Sequence, residues 1–322
     1  MNKKINISLV VPLKNEERSV ALLIESIKYQ SNQPDEIILV DGGSTDNTVQ
    51  HLKKLINNDP RFHIIETTAM PGKGRNMGAE YATSEWLAFT DAGIRLDKHW
   101  LENMIKKQRQ TPGSGIIYGN FSPQINSFFD KCAAIAYVPA LRLGSIRSKS
   151  IASSLFKKEI WKKAGGFPDW RATEDLVFME RAEELNYPVA FAPDAMVYWQ
   201  LRPDLKSTYK KFELYSTYNV WAGRQAYWHY GIARQYAVML IPVLLAFLYS
   251  WYWLLSIPAW ISARVAKRIG LHRHEFGIKT MFNPAVFFMV MVITLVMDAA
   301  TFSGWLKALL QKKKHRKFSL QQ

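Results

Sequence analysis

Cysteine is almost absent from this 322-residue chain: Cys132 stands alone, so neither an internal disulfide nor a cysteine-built zinc site is available. Two nucleotide signatures are also missing. No Gly-x4-Gly-Lys-Ser/Thr occurs, and Gly72-Lys-Gly-Arg-Asn-Met-Gly78 departs from G-x-G-x-x-G and does not follow the first strand, which disfavours P-loop and dinucleotide-binding folds. Acid is scarce in the last third. Residues 200–322 hold 17 Lys/Arg against four Asp/Glu, a local net of +13 in a total of +15. That excess surrounds two hydrophobic stretches rather than a folded domain with base-reading groups, which suits anionic lipid headgroups and argues against a nucleic-acid partner.

The hydrophobic stretches are residues 235–263, 29 positions without a charge, and 280–306, interrupted only by Asp298. A hydrocarbon core of roughly 30 Å needs about 20 apolar helical residues, so each is long enough to span. The basic tail 307–322 reads as cytoplasmic by the positive-inside rule, as does the polar N-terminal part if both stretches cross. Arg264, Lys267, Arg268, Arg273 and Lys279 in the connection contradict two crossings. Either that connection is an exception, or one stretch enters and returns, with Pro242 and Pro258 breaking its helix. Residues 205–234 carry a dense set of aromatics with Lys206, Lys210, Lys211 and Arg224, and read as an interfacial helix or as core packing.

The opening residues predict the first strand of a sheet rather than a targeting segment. Strand patterns at 5–11, 36–40, 62–65 and 86–90 alternate with helical patterns at 17–29, 46–57 and 74–82, and a further helix is expected at 173–185. The alternation predicts an α/β domain over 1–204, a mostly parallel sheet flanked by helices with a ligand crevice at the strand C-termini. Polar residues collect at those ends: Asn15-Glu16 after the first strand, Asp41 to Thr48 after the second, Asp91-Ala-Gly93 after the fourth. Ser44–Asp46 reads chiefly as turn and cap chemistry, Asp41 and Asp91 as ligand-facing carboxylates. Lys73 and Arg75 place two cations beside glycines at a helix start, an arrangement suited to phosphates.

Taken in order, Val10-Val-Pro-Leu-Lys-Asn-Glu16, Val40-Asp-Gly-Gly-Ser-Thr-Asp46, Gly72-Lys-Gly-Arg-Asn76, Asp91-Ala-Gly93 and Glu174-Asp175 resemble the family 2 glycosyltransferases of GT-A fold over about residues 5–230. Ala192-Pro-Asp-Ala-Met-Val-Tyr-Trp199 with Arg202-Pro203 resembles a membrane-associated bacterial branch, some members of which assemble exopolysaccharide or other cell-surface glycans. The resemblance implies transfer of a sugar from a nucleotide diphosphate, with inversion, to a lipid-linked or surface-glycan acceptor. Pro12, Glu16, Asp41, Lys73, Arg75 and Arg202 then match nucleotide-sugar contacts, Asp91 the first acid of a DxD-type metal motif, and Glu174-Asp175 the pair that supplies the general base, Asp175 foremost. A divalent cofactor, Mg2+ or Mn2+, is implied, yet Gly93 stands where a second acid is expected; Asp97 and His229 are possible helpers. Gln200-Leu-Arg-Pro departs from the Gln-x-x-Arg-Trp of processive synthases, so single transfer is expected over polymerisation. The implied location is the inner membrane, with the catalytic part on the cytoplasmic side. Two other readings stay open: a polyprenyl phosphate acceptor, which needs no base, and a silent nucleotide-sugar-binding subunit, suggested by Gly93.

Overall fold

The computed structural model describes residues 5–141 and 144–315, the side chains of 312–315 excepted. Arg142 and the end of the basic tail, Arg316 and Lys317 included, lie outside the described residues. The chain divides into two compact units, one of residues 1–124 and 142–200, the other of 125–141 and 201–322.

The first unit is built on an eight-stranded sheet: β1 Ile7–Leu13, β2 Glu36–Asp41, β3 Phe62–Glu66, β4 Trp86–Phe89, β5 Ile94–Leu96, β6 Ile116–Gln124, β7 Ser154–Lys157 and β8 Val189–Gln200. Their order is β3-β2-β1-β4-β7-β6-β8-β5. The run β3-β2-β1-β4 is parallel, in register Leu9↔Ile37 and Leu9↔Ala88. Beyond it β7 lies antiparallel to both β4 and β6, β8 parallel to β6, and β5 antiparallel to β8. The sheet is therefore mixed, and the parallel order expected from the alternating pattern holds for its first half. That half is the part with helical crossovers, which parallel neighbours require. Every residue of β1 and β2 is buried, as continuous apolar runs between two helical layers should be.

The helices lie close to their expected places, and the offsets have causes. The first is Val20–Lys28, because Glu16 to Ser19 form a turn in which the Glu16 carbonyl accepts from the Ser19 and Val20 amides. The second starts at Thr48, whose amide donates to the Asp46 carboxylate. The third runs Pro71–Tyr81, three residues ahead of expectation, since proline at the first helical position has the required φ and no N–H to leave unbonded. The fourth is Glu174–Glu184. Between sheet and helices, Phe89, Phe156, Phe167 and Phe178 form an aromatic core, with Phe167 stacked on Phe178 at 4.0 Å.

In the second unit the stretch 235–263 is not one helix. It passes through Tyr230–Val238, Leu240–Leu248, a 3-10 turn Trp251–Leu255, and Ser256–Leu271. Two of these joints fall where proline removes a donor: Pro242 cannot bond the Val238 carbonyl, nor Pro258 that of Leu254. By contrast 280–306 falls mostly within one long helix, Pro284–His315. Tyr230–Leu248, none of it buried, and Pro284–Gln311 are long and apolar enough to cross a membrane by length and composition. The Leu205–Trp221 helix packs on the long helix. Ser216 donates to the Thr301 carbonyl (2.6 Å), Thr217 to that of Gly304 (3.2 Å), and a Cβ at Gly304 would strike the Glu213 carbonyl. A small residue there lets the backbones approach.

Candidate active site

The C-terminal ends of β1, β2 and β4 open onto one rim, the place where open α/β sheets bind ligands. The first two loops are stitched together. Asn15 accepts from the Thr45 amide (2.8 Å), the Asn15 amide donates to Ser44 (2.8 Å), and the Glu16 amide donates to Thr48 (2.8 Å). Pro12 lies under the start of the Pro71–Tyr81 helix, 3.5 Å from where a Cβ on Gly74 would sit. The Glu16 carboxylate accepts from Ser19. Asp41 is buried, and its carboxylate shapes its own loop, accepting from the Gly43 amide (3.1 Å), the Ser44 amide (3.0 Å) and the Ser44 hydroxyl (2.5 Å). Lys73 is exposed on the first turn of its helix.

Arg75 occupies a different position from its neighbour. It is 4% exposed, and its guanidinium reaches two carboxylates from distant parts of the chain: Nη1 donates to Glu174 Oε1 and Nη2 to Asp91 Oδ1, each at 2.6 Å. The face of Phe167 lies 5.5 Å from its carbon. Burial works against the charge of Arg75, but Asp91, Glu174 and Asp175 outweigh that and hold it firmly protonated. The sequence pattern suggested a free cation; the fold makes it the hub of an acid cluster. No motif spacing reveals a partner 99 residues away.

The carboxylates respond to the same environment. Burial raises the Glu174 carboxyl to about 7, against the attraction of Arg75 and with the repulsion of Asp175. Asp175 is also raised, first by burial and then by the charge of Asp91, with Arg75 opposing. The two ion pairs therefore gather Arg75, Asp91 and Glu174, and Asp175, next to Glu174 in the chain, lies in the field of their charges. Just before the acid pair, Thr173 adopts φ +69°, a strained left-handed conformation for a β-branched residue. Gly72 allows the approach of this segment: a Cβ there would overlap the Pro168 carbonyl and press on Glu174 Cβ at 3.2 Å.

Sequence reasoning missed Asn76. Its side chain accepts from the Phe167 amide (2.8 Å) and the Trp161 indole (3.1 Å), and donates to the Phe167 carbonyl (2.7 Å). It thus fastens the loop that leads into Glu174. The helpers proposed for the metal are engaged elsewhere. Asp97 accepts from the His99 amide (3.0 Å) and Tyr198 (3.2 Å), and His229 is a buried residue of the second unit, 2.8 Å from Ser216. Arg202 also belongs to the second unit, where with burial it helps hold the Lys211 amine down near 7.

Asp91 meets the chemistry of a divalent ion shared with a diphosphate. Its side chain is 42% exposed, one oxygen is on Arg75, and the other has no hydrogen-bond partner among the described residues. A Cβ at Gly93 would meet nothing within 4 Å, so space for phosphate and water adjoins it. Among the described residues no group of three metal-ligating side chains occurs, and the remaining ligands of such an ion would come from substrate and water.

Residues 8–158 match the family model of Glycosyl transferase family 2. That stretch is similar to the family 2 glycosyltransferases. The poly-beta-1,6-N-acetyl-D-glucosamine synthase of Staphylococcus epidermidis is 28% identical to the chain over 214 residues, covering 62% of this chain and 50% of that protein. The glycosyltransferase GlyG of Streptococcus pneumoniae serotype 4 is 26% identical over 214 residues, covering 61% and 71%. The chain spans about half the length of the first of these curated relatives. Among solved structures, the mannosyltransferase PcManGT from Pyrobaculum calidifontis, in complex with GDP-Man and Mn2+, superposes with a TM-score of 0.57 at 17% identity over 97% of this chain and 89% of that one. S. aureus TarS gives 0.50 at 16% identity over 95% and 55%. At such identities the likeness concerns the fold, which is GT-A-like in the transferase domain.

Proposed function

We propose that the chain is a membrane-bound inverting glycosyltransferase. It moves a sugar from a nucleotide-diphosphate donor to a lipid-linked or cell-surface glycan acceptor. The observation that carries this reading is the convergence of Asp91, Arg75 and Glu174 through two 2.6 Å ion pairs, with Asp175 beside them. Relatives support the substrate class: a poly-beta-1,6-N-acetyl-D-glucosamine synthase in sequence, and a structure holding GDP-Man in fold.

In this reading Asp175 takes the proton of the acceptor hydroxyl as its oxygen attacks the anomeric carbon. The bond from that carbon to the diphosphate breaks on the opposite face, and the nucleoside diphosphate leaves. Asp91 would hold a divalent ion that neutralises the leaving diphosphate. Arg75 keeps Asp91 and Glu174 at fixed separation, and Lys73, on the exposed turn, is the cation open to phosphate oxygens. Pro12, Glu16 and the loop shaped by Asp41 line the nucleotide end. The second unit supplies the membrane attachment, and the transferase domain faces the cytoplasm.

The test is Asp175→Asn in the full chain. Transfer to a hydroxyl acceptor is expected to fall about 10²- to 10⁴-fold while donor affinity, read by thermal shift, changes little. An unaltered rate would remove Asp175 as base and favour an acceptor that is already ionised.

A further inference from the structure

The second unit holds five acids, Asp130, Asp204, Glu213, Glu275 and Asp298, and each is engaged. Asp130 accepts from the Asn126 amide (3.1 Å), Asp204 from the Ser207 amide (2.7 Å), and Glu275 from the Leu141 amide (2.9 Å). Glu213 accepts from Ser303 (2.9 Å) and pairs with Lys307 (3.4 Å). Asp298, 4% exposed on the long apolar helix, takes Arg264 through both guanidinium nitrogens and also accepts from Tyr236 (2.8 Å). A buried acid on such a helix is costly unless matched, and Arg264 matches it one for one.

Arg268 lies one turn after Arg264 on the Ser256–Leu271 helix, so the two side chains share a face. It is half-buried, and among the described residues its guanidinium has no hydrogen-bond or ion-pair partner. Arginine does not shed its proton in proteins, so the charge cannot be relieved by neutralisation. Beside it stands Arg264, which holds both oxygens of Asp298, so that carboxylate attracts Arg268 without bonding to it. Leu271, three residues on and therefore on the same face of the helix, is 59% exposed.

We propose that Arg268, seconded by Arg264, binds the phosphate group of an amphiphilic ligand on the apolar surface of the second unit. A phosphate matches the forked donors of arginine and brings the missing negative charge. A hydrocarbon chain attached to it would cover the exposed Leu271 on that face. The inference rests on the membrane part of the function proposed above, since it requires this surface to meet lipid.

The full chain in nanodiscs of phosphatidylcholine, titrated with brominated phosphatidic acid and read by tryptophan quenching, tests this. Trp260, 5.6 Å from the Arg264 guanidinium, is a reporter at the site. Phosphatidic acid is expected to quench in preference to brominated phosphatidylcholine, Arg268→Gln to weaken binding tenfold or more, Arg268→Lys about threefold, and Lys267→Gln less than twofold. Competition with inorganic phosphate separates the sources: displacement only at large excess assigns the site to lipid, and displacement at equal concentration assigns it to free phosphate. Equal quenching by wild type and Arg268→Gln, with both folded by circular dichroism, overturns the proposal. Asp175→Asn is expected to bind phosphatidic acid like wild type, so a failed catalytic reading and a failed phosphate site give different results.

Discussion

Arg75 shows how a residue's surroundings decide what its charge can do. Buried between Asp91 and Glu174, it organises carboxylates, while Lys73 two positions earlier stays in solvent. The acid pair carries a pH signature. Because the folded state raises the Glu174 carboxyl from 4.5 to about 7, native protein binds its proton more tightly than unfolded chain does. The stability associated with that proton is present below pH 4.5 and is lost as pH rises through 7. Denaturant unfolding of wild type is therefore expected to show falling stability between pH 5 and 8 from this group, and Glu174→Gln to flatten the slope. Gly93 offers a second test at this scale. With open space around it and no positive φ, Gly93→Asp is expected to change stability by less than about 0.5 kcal/mol and to tighten Mn2+ binding, measured by calorimetry with nucleoside diphosphate present. A large loss of stability would show that the space is not free.

At the scale of elements, the site depends on the Pro71–Tyr81 helix meeting the loop before Glu174–Glu184. Asn76 makes two hydrogen bonds to that loop, both to the Phe167 backbone, and a third to the Trp161 indole in the helix Lys158–Lys163, and Phe167 in turn stacks on Phe178. Removing the amide leaves buried groups unpaired, so Asn76→Ala is expected to cost about 1–3 kcal/mol by chemical denaturation and to slow turnover through misplaced Glu174-Asp175. Asn76→Asp, which keeps the acceptor and loses the donor, is expected to fall between. Element positions were largely legible in the chain. Strand patterns at 36–40 and 62–65 became Glu36–Asp41 and Phe62–Glu66, since apolar runs buried on both faces leave a strong signal. The antiparallel placement of β7 between β4 and β6 was not legible, because pairing partners far apart in sequence leave no local mark.

For the whole molecule, the division of charge and hydropathy has a structural counterpart in two compact units, although their boundary differs from the linear one. Residues 125–141, which fall inside the span 1–204 expected to form the α/β domain, are grouped with the C-terminal part, where Tyr137 packs on Phe212 at 5.3 Å. The second unit exposes Phe247, Tyr249, Phe282 and Leu310, each by more than three-quarters of its surface. Apolar exposure on this scale marks a surface made for something other than water. The full chain is expected to float with liposomes containing anionic lipid, and Leu244→Asp with Phe247→Asp to leave it in the soluble fraction. Flotation unchanged by that pair would assign attachment to the other apolar helix, Pro284–Gln311.

Composition and local pattern alone determined the class of the first unit, the strand-end loops, the acid pair at a helix start and the apolar character of the C-terminal part. These are properties of short windows, where periodicity and turn chemistry act directly. Only tertiary structure decided which charges meet: that Arg75 joins Asp91 to Glu174, that Asn76 holds Phe167, and that Asp298 pairs with Arg264 rather than with Arg268. Such pairings arise when the chain returns on itself after tens of residues, and the energy of a buried charge depends on what it then finds beside it.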